Sequence, residues 1–187
     1  MRKPVRIKRL REMVAFLDYL RQQTNIRDHK TLLIMQQQEN LKTLLNDLVK
    51  INNDRVAGYQ KAFDATDDAD LQILFKRLQQ ESEEYSRQLN AELLKLGDEP
   101  QTDSTMSGKL YRTWMDMKIA FTGEDRYAIL SSCEYGEDAI KRAYEEALKS
   151  DTAMPYTLRE LIASQAASLR KAHDTIKASR DVEKINH

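Results

Sequence analysis

Five side chains are placed where a helical chain could turn them toward one another and hold a cation: Glu81, Glu84, Glu134, Glu137 and His173. Glu134 and Glu137 are three residues apart, a spacing that puts both carboxylates on one face of a helix. Two divalent cations held between helices need several oxygen donors and some imidazole, which facing helices supply as Glu and Glu-x-x-His. Such a centre would take iron or manganese and could react with oxygen or peroxide. The full pattern is missing here, because Arg170 precedes His173 by three residues and no second His falls in the stretch 68–96. The plainer chemistry is a hydrogen-bonded, partly hydrated polar layer of Glu81, Glu134, Glu137, Arg170 and His173 that fixes helix register. Cys133 has no His in a pairing position, so it reads as a small buried hydrophobe and no catalytic residue is assigned.

Either chemistry needs helices to carry these residues, and the apolar spacing supplies them. Leu41, Leu44, Leu45, Leu48, Asn52, Val56, Tyr59 and Phe63 recur at steps of three and four, which predicts a helix over 40–64 with a polar gap at Asn52. Thr66, Asp67 and Asp68 can cap a second helix over 68–96, carrying Leu71, Leu74, Phe75, Leu78, Glu81 or Ser82, Tyr85, Leu89, Leu93 and Leu96 and closed by Gly97. Residues 98–104 read as a loop, and Leu110, Tyr111, Trp114, Met117, Ile119 and Phe121 predict a short crossover helix over 107–121 that buries Trp114. A third main helix over 125–149 carries Tyr127, Leu130, Glu134, Glu137, Ile140, Tyr144 and Leu148. A fourth over 155–180, opened by Pro155, carries Leu158, Leu161, Ile162, Gln165, Leu169, His173 and Ile176. Each main helix thus puts a polar residue near its middle. The architecture expected is all-α: an antiparallel four-helix bundle with a short crossover helix between the second and third main helices. Gly58 and Gly136, each inside a predicted helix at a cost of about 1 kcal/mol relative to Ala, read as points of close packing against Tyr or Trp, or as room for a ligand. Tyr59-x-x-Ala62-Phe63 matches Ile140-x-x-Ala143-Tyr144, a weak internal repeat that pairs the two halves.

Composition agrees with long helices around one core: 187 residues, 41% hydrophobic and 32% charged, with only 5 Gly and 3 Pro. The 30 basic and 30 acidic side chains cancel, so net charge points to no specific nucleic-acid partner. Their distribution is uneven. Nine Lys/Arg against three Asp/Glu give residues 1–34 a charge of +6, and the remaining 21 against 27 give −6. One cysteine, no secretory signal and no apolar run of membrane-spanning length set the expectation of a cytoplasmic protein. Residues 1–34 are expected to lie outside the domain of residues 35–187, with Met35 a natural start. Ile7, Leu10, Val14, Leu17 and Leu20 can still form an apolar helix face able to dock on the bundle, a partner or a lipid surface.

The segments LNDLVKINNDRVAGYQKAF, LYRTWMDMKIAFTGEDRYAILSSCEYGEDAIKRAYEEAL and AHDTIKASRD resemble a bacterial family of ferritin-like four-helix-bundle proteins of unknown function, from about residue 40 to 181. The most specific pieces are Trp114 to Asp116, Cys133 to Asp138 and Ala172 to Asp174. The resemblance implies the ferritin-like fold and a stress setting, and the wider superfamily holds both di-iron proteins and members without metal. Three functions follow as expectations. The first is a non-enzymatic bundle acting through protein contacts or as a homo-oligomer. The second is an iron or manganese site built from Glu81, Glu84, Glu134, Glu137 and His173. The third is nucleic-acid or membrane association through Arg6, Lys8, Arg9 and Arg11.

Overall fold

The computed structural model describes residues 5–103 and 125–186, and in them the secondary structure is helical throughout. Four helices are present: α1 (Val5–Asp64), α2 (Ala69–Lys95), α3 (Arg126–Lys149) and α4 (Tyr156–Asn186). The crossover helix expected over 107–121, and Trp114 with it, lies outside the described residues.

α1 is much longer than the predicted 40–64. After Pro4 the sequence contains no Pro or Gly until Gly58, so nothing in the chain stops helix propagation over that stretch. α4 likewise passes the predicted end at 180, since neither Pro nor Gly follows Pro155. The inner boundaries follow local chemistry. Asp68 caps α2, its carboxylate accepting from the Leu71 N–H at 3.0 Å, and Asp125 caps α3 by accepting from Ala128. At the other end of α2, Gly97 takes a φ of +73°, and the Asp98 and Gly97 N–H groups donate to Leu93 and Leu94. That is the Schellman closure, and only glycine adopts its left-handed residue without strain.

The chain divides into two compact units, Met1–Asn40 and Leu41–His187. The first is helical through its described residues, and every side chain from His29 to Asn40 is exposed. The second is a four-helix bundle. Cross-helix bonds fix its directions: Asn53 with Ser86 and Gln60 with Gln79 make α1 and α2 antiparallel. Asn52 with Tyr144 and Arg55 with Glu137 set α1 against α3 in the same sense, and Glu145 with Arg170 and Asp138 with His173 do so for α3 and α4. α2 therefore runs parallel to α3, and the connection between them spans residues 96–125.

The core of this unit is in two parts. Leu41, Leu45, Leu48, Val49, Leu89, Leu93, Ile140, Leu158, Ile162 and Leu169 fill one end. Leu71, Phe75, Leu78, Ile129, Leu130, Cys133, Ala172 and Ile176 fill the other. The buried polar residues Asn52 and Arg55 of α1, Ser82 of α2 and Glu137 of α3 come between these two stretches, and Gln165 of α4 lies at the edge of the first, between Ile162 and Leu169.

Candidate functional site

The centre of the layer is Arg55, 2% exposed, although an arginine at this depth is tolerated only with its charge paired and its donors used. α1 places it three residues after Asn52 and four before Tyr59, on the same inward face. Its Nε donates to Glu137 Oε1 of α3 at 2.6 Å. Its Nη1 turns to α2, donating to Ser82 Oγ at 2.7 Å and lying 3.3 Å from both the Leu78 carbonyl and Glu81 Oε1. The Tyr59 hydroxyl donates to the same Glu137 oxygen, and the Arg55 guanidinium sits 5.1 Å from the centre of the Tyr59 ring. Arg55 Nη2 and Glu137 Oε2 are buried without a hydrogen-bond partner.

Beside this ionic part runs a neutral chain that touches all four helices. Asn52 Nδ2 donates to the Tyr144 hydroxyl at 2.7 Å, Tyr144 donates to Gln165 Oε1 at 2.8 Å, and Gln165 donates to Gln88 Oε1 at 2.8 Å. Asn52 also donates back to the Leu48 carbonyl at 2.8 Å.

Burial, followed by the Glu137 charge, pushes the Tyr59 phenol well above its ordinary range, and burial does the same to Tyr144. Burial alone would make Arg55 easier to deprotonate, but Glu137, Tyr59 and Glu81 outweigh it and hold the guanidinium charged. The Cys133 thiol is raised by burial and then by Glu137, so it is held protonated and unreactive. The two phenols and the thiol are therefore neutral and buried, which makes each of them a poor nucleophile.

Of the five residues expected to bind metal, the structure joins only two, Glu81 and Glu137, and it joins them through Arg55. Glu84 is half-buried and paired with Arg87 at 2.6 Å, and the hydrogen bonds from Arg87 and Gln88 lower its pKa against the opposing effect of burial. Glu134 stands at the edge of the layer and pairs with Arg180 of α4. His173 contacts Asp138 at 3.1 Å and Asp174 at 3.0 Å, with Lys141 Nζ 3.3 Å from its ring. A carboxylate centre for iron or manganese does not fit this donor set, because a guanidinium fills the cation position between Glu81 and Glu137. Among the described residues, no three or more of His, Cys, Asp and Glu are grouped to hold a metal ion.

The expected membership of the polar layer also changes. Arg170 is not in it: its side chain is 65% exposed and pairs with Glu145 on the surface. Arg55, Tyr59 and Tyr144 take the place assigned to Arg170, Glu134 and His173. A buried Glu137 on a helix seam does call for a cation from a facing helix, and Arg55 was one of the few within reach. The apolar stripe of the sequence runs through Val56 and not Arg55, since both fit the helical step and hydropathy favours valine.

Away from the layer, an open groove of about 990 Å³ runs between α1 and α2. Val56 and Ala57 line it together with the amides of Asn53, Gln60, Gln79 and Asn90, the hydroxyls of Ser86 and Thr102, and the charged Glu83, Arg87 and Asp103. A family model described as "Domain of unknown function (DUF2383)" matches residues 40–150. No curated protein matches the chain.

Proposed function

The chain belongs to the family defined by the domain of unknown function DUF2383, and from the geometry of its buried layer we propose that it is a non-enzymatic, ferritin-like bundle that works through protein contacts. The ferritin-like reading is supported by helix direction: α1 antiparallel to both α2 and α3, with one long connection between the parallel pair. The non-enzymatic reading rests on one observation, the Arg55 guanidinium seated between Glu137 and Glu81. In a carboxylate-bridged bundle the cations at that level do the chemistry, and they stay exchangeable and reach solvent-borne substrates. Here the cation is a side chain of the protein, and it can neither change oxidation state nor bind oxygen.

The test is metal analysis of full-length protein equilibrated anaerobically with iron(II) or with manganese(II), followed by desalting. The expected result is well under one equivalent per chain, with no change for Glu137→Gln or His173→Ala. Stoichiometric metal that Glu137→Gln removes would overturn the proposal.

A further inference from the structure

Because α2 and α3 run parallel, the chain that leaves the C-terminal end of α2 must return along the bundle before α3 can begin. The first part of that return is in place. The Gln101 N–H donates to Asn90 Oδ1 at 2.7 Å, and Asn90 Nδ2 donates back to the Gln101 carbonyl at 3.0 Å. Two residues on, the Asp103 carbonyl accepts from Asn53 Nδ2 at 2.8 Å, and Asn53 accepts in turn from Ser86. From Gln101 to Asp103 the chain thus descends from the level of Asn90 to that of Ser86, about 6 Å of α2 axis. It does so within the open groove between α1 and α2, which Thr102 and Asp103 line. Below them the groove passes Val56, Ala57 and Glu83 and reaches Gln60 and Gln79, in the direction of Asp68.

The far end of the connection is fixed as well. Asp125 caps α3, and Arg126 beside it pairs with Asp68 at the start of α2 and with Glu183 of α4. Residues 104–124, which lie outside the described residues, have to bridge the two ends. Along α2 the positions from Ser86 down to Asp68 amount to about 27 Å of axis. Fully extended, the bridging residues would reach about 70 Å, more than twice that descent. The helix expected over 107–121 is about 22 Å long and leaves short ends to complete the path.

The same residues carry an apolar face of the kind a groove takes. Leu110, Trp114, Met117 and Phe121 recur at steps of four, three and four, which is one side of a helix. In water that side would expose an indole and a phenyl ring, whereas in the groove it meets the half-buried Val56 and Ala57. Tethered to the groove at Asp103, it is present there at an effective concentration in the millimolar range, which a free ligand or a second copy at micromolar concentration does not match.

We propose that residues 104–124 descend along the α1–α2 face and seat Leu110, Trp114, Met117 and Phe121 in this groove. The groove is then an interface within the chain and not a site for a substrate.

Trp114, the single tryptophan, reports the contact in the full-length protein. A nitroxide attached at Glu83→Cys, on the exposed rim of the groove, should quench most of its emission, while the same label at Glu160→Cys on α4 should quench little. Cys133 is buried from the reagent. Ala57→Glu puts a carboxylate on the groove floor and keeps a good helix former in α1, so Trp114 emission should shift toward that of the unfolded protein while the helical circular dichroism is kept. Both label sites are exposed, so the quenching comparison stands even where Ala57→Glu loses its fold. Equal quenching from the two labels, or emission that a folded Ala57→Glu variant leaves in place, would overturn the proposal. A mixture of unlabelled wild type with Trp114→Phe protein labelled at Glu83→Cys tests for a second copy as the occupant. No quenching is expected there, and strong quenching would overturn the proposal by assigning the groove to a neighbouring chain.

Discussion

Arg55→Met removes the cation from the layer while keeping a long side chain in the space. Glu137, 0% exposed, then loses its charged partner, keeps only the Tyr59 hydroxyl, and has no route to water. Breaking a buried pair from one side costs about 3–5 kcal/mol, because the remaining charge is stranded. For a chain of this size each kcal/mol moves the midpoint by about 2–4 °C, so the melt should fall by about 6–20 °C. Glu137→Met should cost a similar amount, stranding the guanidinium instead. The double variant is the decisive one. Replacing both partners with apolar groups removes the pair and its desolvation together, a change often neutral or stabilising. It should therefore be more stable than either single variant, and the double-mutant cycle should show a coupling above about 2 kcal/mol. Urea or thermal denaturation of the four proteins, followed by circular dichroism, measures it. Additive single effects, or an Arg55→Met variant within about 1 kcal/mol of wild type, would refute the claim that Arg55 and Glu137 act as one buried unit.

Two further outcomes follow from the helix boundary and the layer. Gly97→Ala meets no neighbour within 4 Å but forces a side chain into the left-handed region at a φ of +73°; it should cost about 1–2 kcal/mol in chemical denaturation. In alkali, the folded protein keeps the protons on Tyr59 and Tyr144 while the unfolded chain gives them up above about pH 10. The folded state then binds more protons, so stability is whole below pH 10 and falls by about 1.4 kcal/mol per pH unit for each tyrosine as pH rises. Tyr144→Phe should flatten that slope relative to wild type between about pH 10 and 11, and an unchanged slope would count against a buried phenol at this position.

The parts of this fold that short-range chemistry decides could be read from the sequence. Asp68 as a cap, Gly97 as the left-handed closing residue, and the apolar steps of α2 through α4 all act within a turn or two of helix. The same local rules explain the length of α1, because the absence of Pro and Gly between Pro4 and Gly58 was visible, although a change in charge and composition near Met35 suggested a break. The layer was harder to read because its membership depends on neighbours distant in sequence. Arg55 and Val56 both lie at a helical step from Asn52, and only the presence of Glu137 on α3 and Ser82 on α2 makes the arginine the inward one. Glu134 and Glu137 share a face in the sequence pattern. α3 turns Cys133, Gly136 and Glu137 into the core and leaves Glu134 at the rim, where Arg180 pairs with it.

The makeup of the layer also bears on why the bundle keeps an ionic layer at all, when an apolar one would hold it as well. The two apolar halves on either side of the layer are built mainly of leucine and isoleucine, which pack in more than one register at little cost. Arg55 removes that freedom. Its donors reach a carboxylate on α3 and both a hydroxyl and a carbonyl on α2, and moving α1 by one residue would take all of them out of reach and leave a buried charge. The Asn52–Tyr144–Gln165–Gln88 chain imposes the same condition on α4 with neutral groups, for which a missed partner costs about 1–3 kcal/mol instead of the larger cost of a bare ion. All four helices are thus held in one register by side chains of the protein itself. A protein that acts by presenting a fixed surface needs a unique register more than it needs the last increment of stability. On the function proposed for this bundle, the buried layer serves that requirement.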